Sequence, residues 1–90
     1  MRDIRICILQ RGWVLVGEYQ REGERCSLTN GCVVRRWGTS WGLGELAIKG
    51  PTDETVLDPV PDTQWHVLTE VMTMVCSAQT WTDALANRER

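Results

Sequence analysis

This chain has no phenylalanine and a single tyrosine, yet it carries five tryptophans. A core built for packing alone normally draws on Phe. Trp adds an N–H donor to a large flat face, which suits interfaces and stacking sites. Histidine is nearly absent as well. His66 is the only one, and Glu70 follows four residues later. On a strand that spacing puts both on one face but about 13 Å apart, too far for a direct acid–base dyad. No Cys-x-x-Cys occurs, and the spacing of Cys26 and Cys32 is not that of a zinc knuckle, so no metal site and no cofactor are expected. The acidic residues Asp53, Glu54, Asp58 and Asp62 have no base among them and read as a solvated rim. No apolar run exceeds four residues (Trp13 to Val16 is one), far short of the ~20 that cross a bilayer. The opening residues show no secretory h-region, which points to a cytoplasmic protein. Basic charge is not in excess either. The net charge is −2 and the pI about 5.3, which argues against non-specific nucleic-acid binding.

Strands with turns between them fill the rest. Ile4, Ile6 and Ile8 alternate with Arg5, Cys7 and Leu9, and after the turn at Arg11-Gly12 comes a β-branched, aromatic run from Trp13 to Gln20. Gly17 suggests a bulge in that run. A charged turn centres on Gly23. Cys26 to Thr29 and Cys32 to Trp37 read as two short strands joined by Asn30-Gly31, the favoured type I′ pair. Residues 45–49 suit a short strand or one helical turn. Thr55 to Leu57 and a stiff corner at Asp58 to Asp62 follow. Trp65 to Cys76 reads as one twelve-residue strand with apolar positions on both faces, either central in the sheet or paired with another subunit. The expected fold is mainly β: a small single-domain β-barrel or roll of SH3 or Sm size, with five to six short strands over residues 1–76. Residues 77–90 are expected as a tail, a short helix (Trp81, Ala84 and Leu85 share a face) or disordered. The four cysteines are expected to be buried free thiols.

The densest chemistry lies in residues 35–47. Two guanidiniums, two indoles, two hydroxyls and three glycines fall within thirteen positions. Gly42 to Ala47 matches the dinucleotide fingerprint G-x-G-x-x-A in letters only. Gly50-Pro51 ends any helix after one turn, so no βαβ unit can follow. What survives is a loop able to converge backbone N–H groups on an anion, or simply a tight packed turn. Arg35 and Arg36 leave a strand on opposite faces unless a bulge intervenes, so one can reach a shared site while the other pairs with an acid such as Glu45 or Glu70. Trp37 and Trp41 can stack on a base, and Thr39, Ser40 and Thr52 can supply hydroxyls. The candidate ligand-binding residues are therefore Arg35, Arg36, Trp37, Gly38, Thr39, Trp41, Gly44, Glu45 and Thr52, with no catalytic residue among them.

The segments Arg35-Arg36-Trp37-Gly38-Thr39, Gly42 to Ala47, Gly50-Pro51-Thr52 and Thr55 to Pro59, in that order, resemble a family of small bacteriophage proteins over roughly residues 5 to 76. Trp41 departs from the polar or basic residue expected there. The resemblance implies a phage origin and transfers no residue-level chemistry. Small phage proteins with an anion-and-ring site look like the oligomeric sponges that sequester host nucleotide immune signals. The resulting expectation is a non-enzymatic homo-oligomer in the cytoplasm of an infected bacterium, holding a cyclic nucleotide or ADP-ribose-type ligand. The alternatives are a small nucleic-acid-binding module and a virion or protein-interaction component.

Overall fold

The computed structural model describes residues 3–87. It is mainly β, as the alternation implied. In chain order the elements are β1 (Asp3–Leu9), β2 (Trp13–Glu22), β3 (Arg25–Arg36), α1 (Leu43–Lys49), β4 (Val56–Pro59), β5 (Thr63–His66), β6 (Glu70–Val75) and α2 (Ala78–Ala86). Single 3-10 turns at Gln10–Gly12 and Val67–Thr69 join β1 to β2 and β5 to β6. All pairings are antiparallel, in the order β4-β3-β2-β1-β6, and β5 pairs with the first half of β3 on the same side as β4. The sheet curls but does not close. Among the described residues no ladder joins β5 or β4 to β6, so the molecule is an open roll rather than a barrel.

Curling comes from two glycines facing each other. A Cβ added at Gly17 would lie 2.8 Å from the Gly31 Cα and 2.8 Å from the Leu28 Cγ. Only bare backbone lets β2 and β3 approach this closely, and the β2–β3 register slips between Val16 and Glu18 at that point. The hairpin expected at Asn30-Gly31 is thus not formed, and β3 runs unbroken through both residues. A type I′ turn needs φ > 0 at both central positions. Only Asn30 has it (φ 53°), and its side-chain amide donates to Glu18 at 2.9 Å, fixing a bend instead of a reversal.

The two sheet faces bury different things. On one, Ile4, Ile6, Val16, Cys32 and Val34 meet Leu43, Leu46 and Ala47 of α1 and Trp81 and Leu85 of α2. On the other, Cys7, Leu15, Tyr19, Cys26 and Leu28 are covered by Trp65 and Val67, where β5 and its 3-10 turn fold over the curl. Of the readings expected for residues 77–90, the short helix is the one that forms, as α2, with Trp81 and Leu85 on its buried face. Trp81 is fully buried in the main core, and its Nε1 donates to the Leu46 carbonyl at 3.0 Å, locking α2 to α1. The expectation of a tail applies at most to residues 88–90, which lie outside the described residues. The twelve-residue strand is corrected too. Val67–Thr69 interrupts it, and β6 is an edge strand rather than a central one.

None of the four cysteines forms a disulfide, and all four are buried. Burial pushes the thiols of Cys7 and Cys76 up to about 12, so they stay protonated and act as small hydrophobes.

Candidate functional site

The 35–52 segment leaves the end of β3, forms α1 and returns to the loop before β4. Its polar groups are used mostly on itself. One Glu45 carboxylate oxygen accepts the backbone N–H groups of Ser40 and Trp41, each at 3.0 Å, and Thr39 donates to the Gly42 carbonyl at 2.8 Å. Thr52 donates to the Gly38 carbonyl and Thr55 to the Trp37 carbonyl, both at 2.6 Å. Of the backbone amides of the glycine loop, those of Ser40 and Trp41 are therefore occupied from within by Glu45. Gly38 has a packing role: at φ 68° it lies so close to the 54–55 backbone that a Cβ would sit 2.5 Å from the Thr55 nitrogen. Gly44 lies inside α1 beneath Trp41, whose ring comes within 3.4 Å of where a Cβ would stand. Gly50, at φ 84°, ends the helix by donating its N–H to the Leu46 carbonyl at 2.9 Å.

The arginines separate by pairing rather than by face. A register shift between Val34 and Arg36 breaks the alternation there. Arg35 forks onto Asp58, with Nε–Oδ2 at 2.8 Å and Nη2–Oδ1 at 3.2 Å. The acid is thus neither Glu45 nor Glu70. Arg36 is exposed and makes no ion pair among the described residues. Trp37 and Trp41 remain 44% and 57% exposed. Lys49, a residue the sequence reading passed over, brings its Nζ to 5.9 Å from the Trp41 ring centre. Ile48 beside it is also exposed. What the loop offers outward includes indole and cation, while the amides of Ser40 and Trp41 are already taken. Lys49 could have been found in the sequence by its place one helical turn after Glu45.

Glu70 does different work from that expected. Its Oε1 accepts from the Tyr19 hydroxyl and the Trp65 Nε1, both at 2.9 Å, bridging β2, β5 and β6 across the open side of the roll. Arg5 stacks 4.8 Å from the centre of the Tyr19 ring. Burial alone would raise the Glu70 carboxyl, but the Cys26 thiol, the Trp65 N–H and the Tyr19 hydroxyl together hold it below the usual carboxylate range. Because the folded value is depressed, the stabilisation is complete above the unfolded pKa of about 4.3 and is lost as pH falls through the folded value. Glu70→Ala, which strands two donors, is expected to cost about 2–4 kcal/mol at pH 7. Glu70→Gln should flatten the acid limb of a urea-denaturation series run from pH 6 downwards. An unchanged limb would mean that the carboxylate is not coupled to folding. His66, by contrast, accepts from the Leu68 N–H at 3.1 Å through Nδ1 and caps the 3-10 turn rather than facing Glu70 along a strand.

An open groove of about 510 Å³ lies elsewhere, between Glu22, Glu24, Arg25, Gln64, Trp65 and His66, and no residue of the 35–52 segment lines it. Among the described residues no group of three or more His, Cys, Asp or Glu side chains could hold a metal ion, and no helix is long and apolar enough to cross a membrane. Comparison with family models, with curated proteins and with solved structures finds no match to this chain.

Proposed function

We propose that the chain is a non-enzymatic binding protein that takes a planar, anionic ligand of nucleotide type on the surface of Trp37, Trp41, Arg36 and Lys49. One observation carries this reading: two half-exposed indoles, one with a lysine ammonium 5.9 Å from its ring, sit on a segment whose own hydrogen bonds hold it in shape. Such a surface loses little entropy on binding, and stacking contributes roughly 1–3 kcal/mol per base. Phosphate would be met by Arg36 and Lys49 rather than by loop amides, since Glu45 occupies those of Ser40 and Trp41. With the phage resemblance, the ligand class is a host nucleotide signal such as a cyclic nucleotide or an ADP-ribose derivative. The protein would act in the cytoplasm of the infected cell, by stoichiometric capture.

A thermal-shift panel of cyclic nucleotides and ADP-ribose derivatives tests this. A ligand at 100 times its Kd stabilises the fold by about 2.7 kcal/mol. Trp41→Ala is expected to weaken binding about 10- to 100-fold, as loss of one stack implies. Arg36→Ala should weaken it as well, whereas Arg35→Ala, already committed to Asp58, should not. Binding that survives Arg36→Ala and Trp41→Ala alike would overturn the assignment. Salt-sensitive oligonucleotide binding with no nucleotide response would favour the nucleic-acid module, which the net charge of −2 disfavours. A second reading, a protein-interaction component, draws on the same exposed apolar groups, Trp37, Trp41 and Ile48.

A further inference from the structure

We infer that the free edge of β6 is an interface for a second copy of this chain, paired antiparallel to itself about Thr73. This gives the expected homo-oligomer a definite surface, and it stands whether or not the 35–52 segment holds a ligand. Among the described residues β6 pairs with β1 alone and ends the order of strands. The Cys76 N–H is donated inward to the Ile4 carbonyl at 2.8 Å. With the register Arg5↔Val75, Ile6↔Met74 and Cys7↔Thr73, antiparallel alternation turns the N–H and C=O of Thr73 and Val75 outward, away from β1. Edge strands are normally guarded by Lys, by Pro or by an inward-pointing charge. Residues 71–75, Val-Met-Thr-Met-Val, have none of these.

Leu68, Val71, Met72 and Val75 are 76%, 61%, 48% and 63% exposed. Together they leave roughly 400 Å² of apolar surface per copy, so two copies could bury on the order of 800 Å² plus a backbone ladder, below the roughly 1,000 Å² that a stable interface clears and in the range of weak ones. Such a dimer would be concentration-dependent.

The pattern of the strand is self-complementary in one register. If Thr73 faces Thr73 of the second copy, Val71 faces Val75 and Met72 faces Met74 on each side of the two-fold axis. Every opposed pair then lies on one face of the joined sheet, as direct antiparallel partners must. The only charge in β6 is Glu70, and in this register it is opposite Cys76, so no like charges meet. Glu70 is already satisfied by Tyr19 and Trp65. The register passes from Ile8↔Met72 to Leu9↔Glu70, so Val71 is the bulged residue of β6, and regular pairing is confined to the short segment that follows it. Because the contact is isologous it closes as a dimer and does not propagate into fibres.

Sedimentation of the whole chain across a concentration series should show a monomer–dimer equilibrium. A Val71→Lys, Val75→Lys double variant puts lysines opposite each other and should be monomeric. So should Val71→Glu, Val75→Glu, while an equimolar mixture of the two should recover a heterodimer. That recovery cannot be explained by variants that merely fail to fold. Thr73→Cys under mild oxidation should cross-link to itself, since hydrogen-bonded antiparallel partners stand about 5.5 Å apart at Cα, within disulfide range. The native thiols are buried and do not compete. A chain that stays monomeric at every concentration would overturn the proposal, as would a dimer unaffected by the lysine pair. Val71→Cys self-linking in preference to Thr73→Cys would overturn the register.

Discussion

Trp81→Ala is expected to cost about 3–5 kcal/mol, the range for truncating a fully buried large aromatic. Small domains have only about 5–15 kcal/mol of stability in total, so the variant should be close to unfolded at 37 °C. At about 4–8 °C per kcal/mol for a chain of this size, its Tm should fall by roughly 15–30 °C. Three features make the loss large. Trp81 has no exposed surface, it fills the space between α2 and the sheet beside Leu46 and Cys76, and its Nε1 is the donor to the Leu46 carbonyl at 3.0 Å. Alanine would leave a cavity and an unpaired carbonyl together. Trp81→Phe retains most of the volume and loses chiefly the hydrogen bond, so its cost should be nearer 1–2 kcal/mol. Urea denaturation of the three proteins checks both figures. Equal stability of Trp81→Ala and the parent would mean that α2 is not docked.

Gly38→Ala and Gly44→Ala are expected to act in opposite directions, although both glycines belong to the same motif. At Gly38 the backbone has φ 68°, and a Cβ would stand 2.5 Å from the carbonyl carbon of Glu54 and from the Thr55 nitrogen. Neither is a flexible side-chain end, so the 52–55 segment must move away. The hydrogen bonds from Thr52 to Gly38 and from Thr55 to Trp37 would go with it. Strain at positive φ plus overpacking against backbone amounts to about 2–4 kcal/mol. Gly44 has ordinary helical geometry, and its Cβ would only touch the edge of the Trp41 ring at 3.4 Å. Alanine there should stabilise α1 by about 0.5–1 kcal/mol through helix propensity. Amide hydrogen exchange over residues 38–56 should rise in Gly38→Ala and not in Gly44→Ala. The same direction of change in both would indicate that the glycines serve backbone freedom alone.

Legibility followed the range of the interactions. The strands β1 and β2, the bend at Gly17, the turn at Gly23 and the end of α1 at Gly50 were readable because alternation and glycine chemistry act over a few residues. Asn30-Gly31 was misread because the same pair can reverse a chain or bend a strand. The choice lay with Gly17, on the opposing strand thirteen residues earlier. Which arginine takes an acid, and which acid, was not legible, because Asp58 reaches Arg35 only once β4 lies beside β3, opposite Val33. Glu45 was read as part of a ligand site. Its five-residue and four-residue reach back to Ser40 and Trp41 depends on a loop fold that no periodicity encodes.

By itself the sequence determined a mainly β domain, four buried cysteines outside any disulfide, and an indole-rich segment too short-helixed for a dinucleotide fold. These follow from side-chain type and local spacing, which persist in any arrangement of the chain. Only the tertiary structure decided that the roll stays open, that α2 completes the core, that Glu45 occupies the amides of Ser40 and Trp41, and that β6 is left at an edge. Those depend on which distant segments meet. Packing decides that after local preference has been satisfied, because burial is indifferent to separation along the chain.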